Sequence, residues 1–326
     1  MINIPGRALS FSAFLTLVTI AGQPSKGASL TAQQVLSSFD VVTFANDSAT
    51  SSDVQGAAII GGNLGGSGAP TATFYSSGTA LPSGWAAVTV FGNATGNGVN
   101  MNSGGKIYIG GTNGEGTISP SGSLEPFSYS PPNANVVNIQ STMSSLSTTL
   151  AGMSGKTIST SGNGVTFSPV YSNNMAVIDL TAAQISGSGG SAIVSYVFSA
   201  VPSGVHTVVF NVSGASVNFD IAAQGNATSA DTNVIWNLYQ ATSVTFNQAA
   251  YGTVLAPLAS VSGNQSIYGD LVVKTLTSMG QVDSAPFCGT LPAASAAPEP
   301  DTVLLLGFGL GAVSLGIYRR GAKKSN

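Results

Sequence analysis

The sequence predicts a mainly β protein. The expected form is a β-solenoid or β-helix-like passenger with one packed α-helix, flanked by an N-terminal signal-peptide helix and a C-terminal transmembrane helix. Three observations lead there. Only 6% of the 326 residues are charged and 41 are Gly, whereas an ordinary domain carries about 25% charge and about 7% Gly. Short apolar-alternating runs are separated by Gly/Asn/Ser clusters. Residues 243–259 (SVTFNQAAYGTVLAPLA) return, without gaps, as residues 260–276 (SVSGNQSIYGDLVVKTL).

The repeat matches Ser243 with Ser260, Val244 with Val261, Asn247 with Asn264, Gln248 with Gln265, Tyr251 with Tyr268 and Gly252 with Gly269. A unit this short cannot bury its own apolar face, but stacked copies share a continuous core. Stacking also favours Gly at corners, and it favours uncharged polar ladders, because like charges about 4.8 Å apart repel. A β-sandwich is the competing architecture, since its strand spacing reads the same way.

The strand runs are 38–45, 56–61, 87–92, 106–110, 192–200, 206–212, 215–221 and 233–238. One segment breaks the period of two. After Pro131 and Pro132, residues Ile139, Met143, Leu146, Leu150 and Met153 recur in steps of four and three. That is a helix stripe, expected over 133–153 and packed on the β surface, with Gly152 and Gly155 as stop signals.

The two ends read as addresses. Arg7 followed by the apolar run Ala8–Ala21 predicts a signal peptide over 1–28. At the other end Pro298-Glu299-Pro300 precedes the apolar run Val303–Ile317, then Tyr318, Arg319, Arg320, Lys323 and Lys324. Fifteen helical residues reach roughly 22 Å, short of a bilayer's ~30 Å core, and the flanking Tyr and basic residues extend the span. The positive-inside rule keeps both basic ends cytoplasmic and puts the passenger outside the inner membrane. The expected domains are thus 1–28, a β domain over 29–288, a linker over 289–297 and an anchor segment over 298–324.

The triplet, helix and basic cluster in that order closely resemble the PEP-CTERM sorting signal. The resemblance implies recognition and cleavage by an exosortase, with Pro298, Glu299 and Pro300 as recognition residues and Arg319 and Arg320 as the stop. Residues 303–317 would be a temporary anchor; a permanent tail anchor is the other reading. The passenger also resembles the choice-of-anchor A domain. The opening match is Phe39–Phe44 with Asp53-Val54-Gln55-Gly56 and Ile59–Leu64. The closing match is Val234–Leu238 with Tyr251–Pro257 and Tyr268–Lys274. That resemblance implies a secreted, surface-attached adhesive module and not an enzyme.

Composition excludes several functions. With the ends removed, three Lys and ten acids leave the passenger at −7, which offers nucleic acid no basic footprint. One Cys and one His cannot form a zinc cluster, and no cofactor is expected. His206 reads as a strand residue, and Cys288 as a silent or cross-linking thiol. Asp47 and Asp53 read as solvated turn residues, with calcium as the alternative. Trp85, Tyr75, Tyr108, Tyr129 and Tyr171 lie in Gly/Ser/Asn-rich stretches and suit carbohydrate contacts, or are simply part-buried.

The expected function is an exported, non-enzymatic surface or matrix adhesive. It would be translocated by the Sec machinery, held transiently at the inner membrane, processed by an exosortase, and associated with exopolysaccharide or biofilm at the cell surface or outside the cell. Two alternatives stand beside it. One is ice or crystal binding, for which Thr71, Thr73 and Thr89 sit in alternating runs but no Thr-x-Thr array repeats at 17 residues. The other is a polysaccharide-active enzyme, using Asp220/Asp231 or Glu115/Glu125.

Overall fold

A computed structural model describes residues 29–48, 53–66, 70–77, 80–115, 117–120, 122–124, 136–158, 164–187 and 192–293. The expected signal peptide, the sorting residues Pro298, Glu299, Pro300, Arg319 and Arg320, and the apolar run 303–317 lie outside these residues, as do Glu125, Tyr129 and the expected helix start at 133–135. Among the described residues no helix is long and apolar enough to cross a membrane.

Every strand pairing among the described residues is parallel. This excludes an antiparallel sandwich and fits a β-helix-like stack with three faces. The repeat is two adjacent rungs: Ser243 lies over Ser260, Val244 over Val261 and Tyr251 over Tyr268. The two tyrosine rings are parallel, with centroids 4.5 Å apart. Gly252 and Gly269 hold the corners at φ +112° and +142°, where a Cβ on Gly269 would lie 2.5 Å from the Gly252 carbonyl.

The rungs do not stack in chain order. On the first face the order is Ser123–Leu124, Lys106–Ile109, Val88–Val90, Ala58–Ile60, Val41–Thr43, Leu271–Leu276, Thr253–Gly263, Val234–Asn237, Thr207–Ser213, Met175–Thr181 and Lys156–Thr157. The chain starts mid-stack and climbs to one end. It then resumes at the far end and returns to its starting strand. The two half-stacks meet where Val41, Val42 and Thr43 pair with Leu271, Val272 and Val273. We call this junction the seam.

Helix α1 (Ala32–Leu36), helix α2 (Val136–Ala151) and helix α3 (Ala182–Ile185) complete the fold. Only α2 was expected. The two short helices start at Thr31-x-x-Gln34 and Thr181-x-x-Gln184, where reciprocal capping boxes satisfy the first turn. Helix α2 buries Ile139, Met143, Leu146 and Leu150 as its stripe predicts. It lies on the outer side of the first face, against Val42, Ile59, Val209, Ile235, Leu255 and Val272. That sheet is therefore covered on both sides, which is why its strands read as continuous apolar runs.

One polar cluster fixes the helix in register. The Ser147 hydroxyl donates to Asn237 Oδ1 at 2.6 Å, and Asn237 Nδ2 donates to the Ser147 carbonyl at 2.9 Å and to Asn211 Oδ1 at 2.8 Å. Asn211 Nδ2 reaches the Leu150 carbonyl at 2.8 Å. The inner core is aromatic in the second half-stack, where Phe210 and Trp236 stack at 4.2 Å and Phe219 meets Trp236 edge-on at 5.0 Å. In the first half-stack it is built of smaller side chains such as Val41, Ala58, Ile60, Val88 and Val90.

Candidate functional site

The second face carries a polar array built by plain strand alternation. Its inward positions Val217, Val244, Val261, Leu276, Leu64 and Ala94 are buried. The residues on either side of each point outward and are exposed or half-buried. In order along the stack these outward pairs are Ser216/Asn218, Ser243/Thr245, Ser260/Ser262, Thr275/Thr277, Asn46/Ser48, Asn63/Gly65, Asn93/Thr95 and Thr112/Gly114. The result is two columns over eight rungs, about 34 Å long at ~4.8 Å per rung and about 7 Å from column to column. No position in either column is charged. The array runs without interruption across the seam.

Backbone bonding stiffens one edge. Asn46 Oδ1 accepts from the Asn63 N–H at 2.9 Å, Asn63 Oδ1 from the Asn93 N–H at 2.8 Å, and Asn93 Oδ1 from the Thr112 N–H at 2.8 Å. This asparagine ladder uses each side-chain carbonyl internally. Each residue sits beside a corner where bulk is excluded: a Cβ on Gly62 or Gly92 would meet the Asn46 or Asn63 side chain at 2.4 or 2.5 Å. On the other half-stack, Thr245 and Ser262 hydroxyls lie 3.5 Å apart.

The threonines singled out in the sequence are elsewhere. Thr89 is 0% exposed on the first face, and Thr73 is half-buried on the third face between Asp53 and Asn100. The hydroxyl array escapes a search at 17 residues because the rungs differ in length. Stacked partners are 17, 30 and 19 residues apart along the asparagine ladder, and 15 apart at Gly263 and Ser278.

Other sequence candidates are dispersed. Asp47 is not a solvated turn residue: it is 3% exposed, at an inward position between Leu276 and Leu64. Asp53 lies on the third face, so the two do not form one loop. Among the described residues no group of three or more His, Cys, Asp or Glu could hold a metal. Asp220 accepts from Asn247 Nδ2 at 2.7 Å, while Asp231 accepts from the Thr232 N–H at the corner before Val234–Asn237. The structure thus places Asp220 and Asp231 at separate corners.

His206 precedes its strand and lies against Tyr171, with ring centroids 4.3 Å apart. Cys288 is exposed, and its N–H still bonds the Thr232 carbonyl at 2.9 Å. Trp85 packs edge-on against buried Phe39 at 5.4 Å, and Tyr75 packs against the core. These two rings are chiefly packing elements.

No curated protein matches the chain. A family model described as "Putative Ice-binding-like adhesive domain" matches residues 32–284. That span takes in both half-stacks, the seam and the outward array, and the adhesive description supports a surface adhesive role. The chain belongs to the family of this ice-binding-like adhesive domain.

Proposed function

We propose that the chain is an exported, non-enzymatic surface adhesive that lays its two-column Ser/Thr/Asn face along an uncharged, hydroxyl-rich polymer, with neutral exopolysaccharide as the ligand class. The observation that carries the reading is the face itself. Fourteen of the sixteen outward positions over eight rungs are Ser, Thr or Asn, held on a parallel stack buttressed by α2. Short side chains lose little rotamer freedom on contact. A net-acidic passenger repels acidic polymers, whereas the array adds no charge of its own. The family description agrees with adhesion.

The ends complete the proposal. The signal peptide over 1–28 delivers the protein through the Sec translocon, residues 303–317 hold it briefly in the inner membrane, and an exosortase acts at Pro298–Pro300, with Arg319 and Arg320 as the stop. Mass spectrometry of the mature protein tests this: recovery of an intact 295–326 peptide from the final product contradicts processing. Ice binding is the second reading, favoured by the family's ice-binding-like description and by the regular hydroxyl spacing. For the adhesive face itself, Thr245→Lys/Ser262→Lys places two ammonium groups on neighbouring rungs. It should abolish retention on neutral polysaccharide with the fold intact, whereas thermal hysteresis in the wild type, lost in the same variant, favours ice.

A further inference from the structure

Two buried aspartates occupy stacked positions across the seam. Asp40 and Asp270 occupy neighbouring stacked positions, one residue before the Val41–Leu271 pair, and the Leu271 N–H donates to the Asp40 carbonyl at 2.7 Å. Both are 0% exposed. Each has one oxygen satisfied: Asp40 Oδ1 accepts from the Ser284 hydroxyl at 3.2 Å, and Asp270 Oδ2 accepts from the Thr253 hydroxyl at 2.9 Å. The other oxygen of each, Asp40 Oδ2 and Asp270 Oδ1, is buried with no partner. Gly56 closes the site, since a Cβ there would lie 2.2 Å from the Asp40 carboxylate.

We propose that one proton retained by the Asp40/Asp270 pair latches the two half-stacks together, and that alkaline conditions release the latch. Two ionised carboxylates on adjacent rungs, where strands are about 4.8 Å apart and both groups are sealed from water, repel strongly. One carboxylic acid beside one carboxylate removes that repulsion, because only one of the two buried groups is then charged. Loss of that proton to solvent leaves two buried anions at the junction where a chain segment from the start of the domain meets one from its end.

The surroundings supply more acid. Asp283 faces Asp40 from the third-face strand, and Asp53 acts in turn on Asp283. Gln55 Nε2 donates to Asp283 Oδ1, and Gln55 Oε1 accepts from the Ser284 N–H at 3.2 Å, so a hydrogen-bonded chain links the half-buried Asp283 to the pair. Tyr251 and Tyr268 stack on the neighbouring rungs, and Lys274 is exposed four residues beyond Asp270. Burial raises Asp40 to about 7, offset in part by the Ser284 and Gly56 hydrogen bonds. Burial, and then the Asp40 charge, push Asp270 well above the ordinary carboxyl range.

The sign follows directly. The unfolded chain releases these protons near its usual carboxyl range, about 4, while the folded chain keeps them. Stability from this pair is complete below that range and is lost as pH rises through about 7 for Asp40 and beyond for Asp270. Each retained proton costs up to roughly tenfold in the folding equilibrium per pH unit.

A carboxyl-carbon NMR titration of the folded, full-length chain tests the latch. One protonated carboxyl in the Asp40/Asp270 pair at pH 6, titrating only near or above 7, is the expected result. Both carboxyls ionised at pH 6 in the intact fold would overturn the proposal. In urea melts the wild-type midpoint should fall between pH 5 and pH 8, and Asp40→Asn/Asp270→Asn should flatten that fall. A double variant with the wild-type pH slope would also overturn it. If the double variant fails to fold, the NMR titration of the wild type decides alone.

Discussion

Asn237→Leu isolates the contribution of the polar clamp under α2. Leucine matches asparagine in side-chain branching and heavy-atom count and is somewhat bulkier, so the change removes hydrogen bonds and opens no cavity. In the structure Asn237 serves three buried partners: the Ser147 hydroxyl, the Ser147 carbonyl and Asn211 Oδ1. Each orphaned buried group costs about 1–3 kcal/mol. Ser147 can recover part of this by bonding within its own helix. A net loss of about 3 kcal/mol is expected, with a Tm shift of roughly 6–12 °C at ~2–4 °C per kcal/mol for a domain near 250 residues. Urea unfolding gives the loss, and hydrogen exchange over 139–150 should rise more than over 207–213. A loss below ~1 kcal/mol, with α2 as protected as before, would refute the clamp.

Three further outcomes follow from the packing. Trp236→Ala empties a crowded aromatic position, where Phe210, Tyr196 and Phe219 all meet the indole, and should cost about 3–5 kcal/mol in denaturant melts. Gly269→Ala puts a Cβ 2.5 Å from the Gly252 carbonyl at φ +142°; it should destabilise by more than 1 kcal/mol, while Gly66→Ala, with open space around it, should be near neutral. Tyr268→Ala breaks the stack with Tyr251 and should cost about 1 kcal/mol beyond the area it uncovers, measured against Tyr268→Phe.

The sequence disclosed what is local. Alternation located the strands, the 4-3-4-3 spacing located α2, and the exact 17-residue repeat put Tyr251 over Tyr268. The seam was hidden because Val41 pairs with Leu271, a contact that no local pattern records. The buried acids were hidden for a related reason: Asp40 and Asp270 look like ordinary turn aspartates until the seam brings them together. The outward array was in view residue by residue, in Ser243-x-Thr245 and Asn46-x-Ser48, but unequal rung lengths scattered its period. The Thr31 and Thr181 capping boxes could have been found from Thr-x-x-Gln alone.

The adhesive contact proposed for this chain is the uncharged two-column face. Its most direct test is adsorption of the wild type and Thr245→Lys/Ser262→Lys to the producer's neutral exopolysaccharide, with circular dichroism confirming equal folding. Adsorption by the wild type and its loss in the variant are expected. Equal adsorption by both would contradict it and move the contact to another face.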